Sequence, residues 1–298
     1  MNASAIRYIQ PVFRPPSEAE SLILPVTNGC SWNACTFCEM YTEPQKAFRP
    51  RDEEEVFQSI QRCGEDYGDS IKRVFLADGD AMTLSFRRLS KILEAIRQYM
   101  PGVRRVSSYC LPRNVSKKSV AELTELASLG LSFVYVGAES GDDEVLSRVK
   151  KGETFKSTLE ALNKLHAAGI KRSVMILNGL GGQELSQQHA INSALLMNAA
   201  QPEYLATLVV SFPKGQERFL AHFPNWRELS ISGLMQEMEL LLSKLELKRT
   251  VFRSDHASNW LILKGTLGVD KNRLLSELRA AIEAPETAPL RPTWARGL

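Results

Sequence analysis

The sequence predicts an α/β protein, a partial (β/α)6 TIM-like barrel of parallel strands with a C-terminal α-rich extension. Two observations carry that expectation. Short apolar runs rich in Val, Ile, Leu and Phe alternate with longer stretches of helical period, and six such strand-then-helix units follow in series with no repeat or low-complexity tract before about residue 212. Units of this kind lay their strands parallel through right-handed crossovers. Six units are fewer than the eight that close a full barrel, so an open barrel is expected, with a flat doubly wound sheet as the alternative.

The strands are expected at 22–26, 73–77, 104–109, 133–138, 173–177 and 204–211, each a short apolar run. Helical period places helices near 53–66, 85–100, 117–129, 154–168, 185–200 and 226–247, with a further one at 270–283 before a Pro-rich tail. The stretch from Ser119 carries apolar residues at three-to-four spacing and runs into Gly130, and the next helix runs into Ala168-Gly169. A glycine past the last turn supplies the left-handed residue that stops a helix. The chain is therefore read as an N-terminal segment (1–20), a barrel (21–215) and an extension covering it (216–298).

Composition bounds the function. A chain of 298 residues, 44% hydrophobic and 24% charged, can bury a large core and is not disordered. Its net charge of 37 − 34 = +3 is scattered apart from short pairs such as Lys117-Lys118, which excludes a nucleic-acid footprint. No export signal or membrane span is visible, so a soluble, cytoplasmic protein without a membrane partner is expected. In that compartment thiols stay reduced, and five cysteines are too few for a disulfide scaffold.

Three of the five crowd into "TNGCSWNACTFCEMY", residues 27–41, where Cys30, Cys35 and Cys38 are separated by four residues and then two. Clustered cytoplasmic cysteines read as metal ligands or catalytic groups. A structural zinc would need a fourth ligand from His166, His189, His222, His256, Cys63 or Cys110, none of them close in sequence. A [4Fe–4S] cube held by three thiolates instead leaves one iron open to a small molecule. Three more unusual stretches fall on the same expected strand-end rim: Asp78-Gly-Asp, Glu139-Ser-Gly and Asn178-Gly-Leu-Gly-Gly. By themselves these have plainer readings: Asp80 as a helix cap, Glu139 as a surface acid, Lys151 as a solvated charge and the glycine run as a tight loop.

Three cysteines after the first strand, with Phe37 immediately before the last, resemble the signature of the radical S-adenosylmethionine (SAM) superfamily, whose usual spacing is three then two. Gly79-Asp80 resembles its Gly-Gly-Glu-like loop. The stretch "VGAESGDDEVLSRVKKG", residues 136–152, resembles the fourth-strand segment of the branch that contains Elp3, the methylthiotransferases such as MiaB, and the oxygen-independent coproporphyrinogen oxidases. The resemblance spans roughly residues 22–215. It implies that Cys30, Cys35 and Cys38 hold three irons of a [4Fe–4S] cluster while SAM chelates the fourth. It implies that Gly79 and Asp80 hold the methionine amino group and that Phe37 packs near the adenine. Glu139 and Ser140 would meet the ribose or methionine, Lys151 the methionine carboxylate, and Asn178 the adenosine.

The chemistry so implied is reductive cleavage of SAM to a 5′-deoxyadenosyl radical that abstracts hydrogen from a substrate, with electrons from a flavodoxin or ferredoxin-type donor. With no further cysteine set visible, a one-cluster enzyme acting on a small molecule is expected. A metal-stabilised binding or regulatory protein without radical catalysis is the alternative. The segment "FRSDHASNWLILKGTL", residues 252–267, packs many polar groups into a short stretch, and is either a surface loop or a closure over the barrel mouth. On the second reading Asp255, His256 and Asn259 touch substrate. Cys110, ending the third strand, joins them as a catalytic candidate, with Tyr109 and Arg113 as further contacts. Cys63, on a helical pattern, is expected to be packing.

Overall fold

The computed structural model of the chain describes residues 6–296. The chain enters at β1 (Leu22–Pro25), passes the two-residue strands β2 (Thr27–Asn28) and β3 (Arg49–Pro50), and then alternates α1 (Glu53–Tyr67), β4 (Arg73–Ala77), α2 (Phe86–Tyr99) and β5 (Arg105–Cys110). Helices α3 (Pro112–Ser116) and α4 (Val120–Ser128) lead to β6 (Leu131–Glu139); α5 (Asp143–Arg148) and α6 (Phe155–Ala167) lead to β7 (Lys171–Asn178). After α7 (Gly182–Ala200) and β8 (Tyr204–Val209) come α8 (Glu217–Leu220), α9 (Ile231–Lys244), β9 (Val251–Ser254), β10 (Leu263–Thr266) and α10 (Lys271–Glu283).

Among the described residues the main sheet has eight strands in the order β1-β4-β5-β6-β7-β8-β9-β10. The pairs β1/β4, β4/β5, β5/β6, β7/β8 and β8/β9 are parallel, and β9/β10 is antiparallel. The α/β class and the six expected strands are thus present. Helix starts follow local chemistry: the side chains of Asp52, Ser85, Ser119, Asp142 and Ser230 each accept a backbone N–H three residues on. Such caps satisfy donors that the helix leaves open and are worth about 1 kcal/mol each.

The C-terminal region departs from expectation. Residues 252–267, read as a surface loop or a closure, contribute β9 and β10, which lengthen the sheet by two strands. Each is four residues long, too short for periodicity to register, and the conspicuous polar residues crowd the connection between them. The short helices α3 and α8 were likewise below the length that a pattern reveals.

The chain divides into two compact units. The first takes residues up to Asn33, Met40–Val136 and Asn163–Arg172; the second takes Ala34–Glu39, Gly137–Leu162 and the chain from Ser173. Strand β7 from Ser173 on and strand β8 belong to the second unit together with the chain after residue 215, and the described residues before 21 belong to the first. Glu18 is fully buried in the first unit and accepts hydrogen bonds from Arg105 Nη2 (2.8 Å), Ser107 Oγ (2.9 Å), Tyr135 Oη (2.6 Å) and Ser21. Phe75 meets Tyr109 and Tyr135 edge-on beside it, with ring centroids 5.1 and 6.2 Å away. In the second unit Phe219, Phe223 and Trp226, from beyond β8, pack with Val145, Val149, Leu177, Leu180 and Leu185. Among the described residues no helix is long and apolar enough to cross a membrane.

Removing the Glu18 carboxylate strands several buried donors together. Glu18→Ala is expected to lower unfolding stability by about 3 kcal/mol, read from the denaturant midpoint, because Ser21, Arg105, Ser107 and Tyr135 all lose the carboxylate they share.

Candidate functional site

In the first unit the cysteine-bearing loop begins against the turn that follows β4. Val26 N–H donates to Ala77 O (2.5 Å), Asp78 N–H to Thr27 O (3.1 Å), and Thr27 Oγ1 to Asp78 O (2.9 Å). Lys46, fully buried, pairs through Nζ with the Asp78 carboxylate and donates to Ile9 O (2.6 Å), while Tyr41 Oη donates to Asp78 Oδ1 (3.1 Å). Asn28 Nδ2 donates to the carbonyls of Gln45 and Ala47. The two ends of the loop, at residues 27–31 and 41–47, are thereby held by one turn.

Backbone proximity makes the fit tight. Gly79 has φ +86° and lies so close to Gly29 that a Cβ would sit 2.3 Å from Gly29 O and 3.1 Å from Cys30 N. Only glycine takes that conformation and that approach without strain. Asp80 does not cap the next helix; its Oδ2 accepts from Ser31 N–H (3.3 Å) and from the Ser31 hydroxyl. Its Oδ1 is buried with no partner. Burial pushes both Asp78 and Asp80 above the ordinary carboxylate range, against the opposing pull of Lys46 and of Ser31 respectively.

The second unit holds Cys35 and Cys38. Thr36 N–H donates to Val149 O (3.0 Å), Cys38 N–H to Cys35 O (3.3 Å), and Arg218 Nη1 to Cys38 O (2.7 Å). Phe37 packs on the Phe219 and Trp226 cluster, with Lys151 Nζ 6.0 Å from its ring centroid. Lys151 is buried and pairs with Glu139 Oε1 at 3.0 Å. Burial works against its ammonium, but the charges of Glu139, Cys35 and Cys38 outweigh it and hold the pKa above the ordinary lysine value. Glu139 sits at φ +65°, and its side chain folds back over Gly137, where a Cβ would lie 2.0 Å from Oε1. Its Oε2 is buried and unpartnered.

The remaining candidates fall in several places. Ser140 is fully buried, its Oγ 2.8 Å from His189 Nδ1. Asn178 Nδ2 donates to Leu234 O (2.9 Å), leaving Oδ1 buried without a partner. Asp255, His256 and Asn259 occupy the β9–β10 connection. Asn259 is tied inward through Nδ2 to Thr207 O (2.7 Å) and Ser254 Oγ (3.1 Å), whereas Asp255 pairs with Lys264 at 2.9 Å. Burial and the nearby Arg291 hold His256 below the ordinary histidine value, against Asp255. Cys110 is buried, and its Sγ lies 3.5 Å from Leu111 O. Lys118 close by is lowered by its own burial, against the charge of Cys110. Tyr109 lines the Phe75 cluster, and the Arg113 guanidinium stacks 3.7 Å from the Trp32 ring. Cys63 is a packing thiol, pushed up to about 11 by burial and Asp66. Lys46, Ser31, Gly137 and Glu237 escaped the sequence reading, since nothing in a lone lysine, serine or helical glutamate announces what it meets, and His189 figured there only among possible fourth ligands to a zinc.

Comparison with known proteins places this geometry. The profile of the radical SAM superfamily matches residues 24–194, more than half of the chain, and the chain belongs to that superfamily. The heme chaperone HemW of Bacillus subtilis is 21% identical over 222 residues, covering 71% of this chain and 56% of that protein. Among solved structures, coproporphyrinogen III oxidase (HemN) from Escherichia coli superposes with a TM-score of 0.55 at 14% identity, over 75% of this chain and 52% of that one. The radical SAM methyltransferase TsrM from Kitasatospora setae, solved with cobalamin and a [4Fe-4S] cluster bound, gives 0.51 at 21% identity, over 63% and 34%. The chain spans from about a third to just over half of the length of these proteins. The structural likeness shows the fold, the partial TIM-like barrel of this superfamily.

The glycine pair allows a controlled test. Gly169 has φ +75° but nothing within 4 Å of a Cβ, so Gly169→Ala is expected to cost only about 1 kcal/mol of backbone strain. Gly79→Ala adds a collision with the Gly29 carbonyl, and is expected to cost roughly 3 kcal/mol or more in the same denaturant titration.

Proposed function

We propose that the protein is a radical SAM iron–sulfur enzyme acting on a small molecule, with Cys30, Cys35 and Cys38 as ligands to three irons. The single observation that carries this is the superfamily match over residues 24–194, which contains all three cysteines on the segment after β1. The residues present fit the two cofactors. All three thiols are free of disulfides, and carboxylate oxygens of Asp80 and Glu139 are buried without partners at the ends of β4 and β6. Buried oxygens of that kind are costly unless a ligand completes them. The superfamily match favours this reading over a metal-stabilised binding or regulatory protein.

When bound, a reduced [4Fe–4S] cluster and SAM supply the electron and the sulfonium from which a 5′-deoxyadenosyl radical arises to take hydrogen from substrate. The chain's own residues bind and orient. Asp80 Oδ1 is the acceptor offered to the methionine ammonium. Lys151, kept protonated by its neighbours, offsets the charge of the Cys35 and Cys38 thiolates and can meet the methionine carboxylate. Glu139 Oε2 accepts a ribose hydroxyl, and Phe37 supplies an apolar face for adenine. On the β9–β10 connection Asp255 and His256 remain the substrate-facing candidates, His256 as a neutral imidazole at neutral pH. Electrons come from a flavodoxin or ferredoxin-type donor in a cytoplasmic setting.

Anaerobic reconstitution tests the reading directly. Wild-type protein with dithionite and SAM is expected to be brown and to release 5′-deoxyadenosine. Cys30→Ala, Cys35→Ala and Cys38→Ala should each lose most of the iron and all of the product. A colourless protein that retains zinc and yields no 5′-deoxyadenosine would sink the proposal.

A further inference from the structure

The turn after β7 is held from beyond β8. Glu237 on α9 is 3% exposed; its Oε1 accepts Gly179 N–H and its Oε2 the Ser186 hydroxyl, each at 2.6 Å. Leu234 O, one turn earlier on α9, takes Asn178 Nδ2, while Trp226 Nε1 donates to Gly179 O (3.3 Å) and Gln183 N–H to Arg227 O (2.9 Å). Gly179 (φ +82°) and Gly182 (φ +60°) let the turn press against this surface: a Cβ would lie 2.9 Å from Leu234 Cδ2 in the first and 2.6 Å from Trp226 Cδ1 in the second.

The same carboxylate reaches toward the loop after β6. His189 on α7, 1% exposed, has Nε2 3.9 Å from Glu237 Oε1 and Nδ1 2.8 Å from Ser140 Oγ. Ser140 Oγ accepts Asp142 N–H at 3.0 Å, and Gly141 N–H donates to Ser193 Oγ of α7 at 2.9 Å. The imidazole thus lies between the Ser140 hydroxyl on one side and the Glu237 carboxylate on the other. Serine, histidine and carboxylate in that order resemble a nucleophilic triad. Yet Ser140 has no exposed surface and the 3.9 Å gap is too long for a hydrogen bond, so no substrate is attacked here.

We propose that Glu237 and His189 are positioning residues: through them α9 fixes the two loops, 139–142 and 178–182, with which the protein takes SAM. The proposal rests on the cofactor reading above, in which Glu139 meets SAM, together with the family resemblance, which gives Asn178 to the adenosine. Neither residue touches the cofactor. A loop shifted by a fraction of an ångström loses its match to a ligand, so the effect falls on SAM affinity and leaves the cysteine loop intact.

The test measures SAM dissociation constants by anaerobic equilibrium binding, together with iron per chain and thermal midpoint, on the reconstituted full chain. Glu237→Ala and His189→Ala are each expected to weaken SAM about tenfold with iron per chain unchanged. Glu237→Gln, whose amide oxygen still accepts Gly179 N–H, should return to within about threefold of wild type. A merely structural role predicts affinity that tracks the thermal midpoint and iron per chain across the variants. Folded single variants within about twofold of wild type overturn the proposal, as does affinity that falls only in step with the thermal midpoint. Should Glu237→Ala not fold, His189→Leu fills the site without the Ser140 hydrogen bond and carries the same test. Wild type that binds no SAM brings down the cofactor reading and this proposal together; wild type that binds it beside equally tight variants brings down this proposal alone.

Discussion

The buried ion pair between Lys46 and Asp78 is the contact on which the first half of the site depends. It joins the far end of the cysteine-bearing loop to the turn after β4, and that turn also presses Gly79 against Gly29 and takes Ser31 with Asp80. Two charges taken out of water gain little net stability, but losing one partner leaves the other stranded at a cost of about 3–5 kcal/mol. The pair therefore acts less as glue than as a register pin. Tyr41 and the Ile9 carbonyl complete it, so no alternative seating of the loop satisfies both charges.

The second unit repeats the device with different residues. Lys151 and Glu139 are both buried and joined at 3.0 Å, and Glu139 reaches its partner only because Gly137 has no side chain in the way. Here the lysine faces the Cys35 and Cys38 thiols, so its charge is set by groups that belong to the site rather than to the scaffold. Each unit thus sets one buried lysine on one buried acid beside its part of the cysteine-bearing loop, and in each a carboxylate oxygen is buried without a partner.

Much of the fold was legible because parallel strands are apolar on both faces. The six strand runs and the long helices α1, α2, α6 and α7 stand out, and glycines at 130 and 169 mark stops at positive φ, as expected. The proposed metal ligands stand out in the sequence because three cysteines in nine positions have few other uses. What stayed hidden was mutual position. A lysine at 46 reads as a loop charge until Asp78 is placed beside it, and Glu237 reads as the polar face of a helix until Gly179 is found beneath it. The region after residue 215 misled for a related reason: β9 and β10 are four residues each, and β9, on which β10 pairs, is placed by a non-local pairing with β8. Asn259, picked out as a polar residue in need of a partner, found one in the backbone of β8.

The chain's last stretch grips the β9–β10 connection by its main chain. Arg291 donates to the carbonyls of His256, Asp255 and Asn259, its N–H bonds Trp260 O, and Arg296 donates to Ser258 O while stacking on Trp260. Because carbonyl oxygens are common to every amino acid, the shape of this connection is insulated from most of the side chains it displays. Residues such as Asp255 and Ala257 can therefore be exchanged with little disturbance to the backbone that carries them, so the connection can change what it displays at small cost to folding.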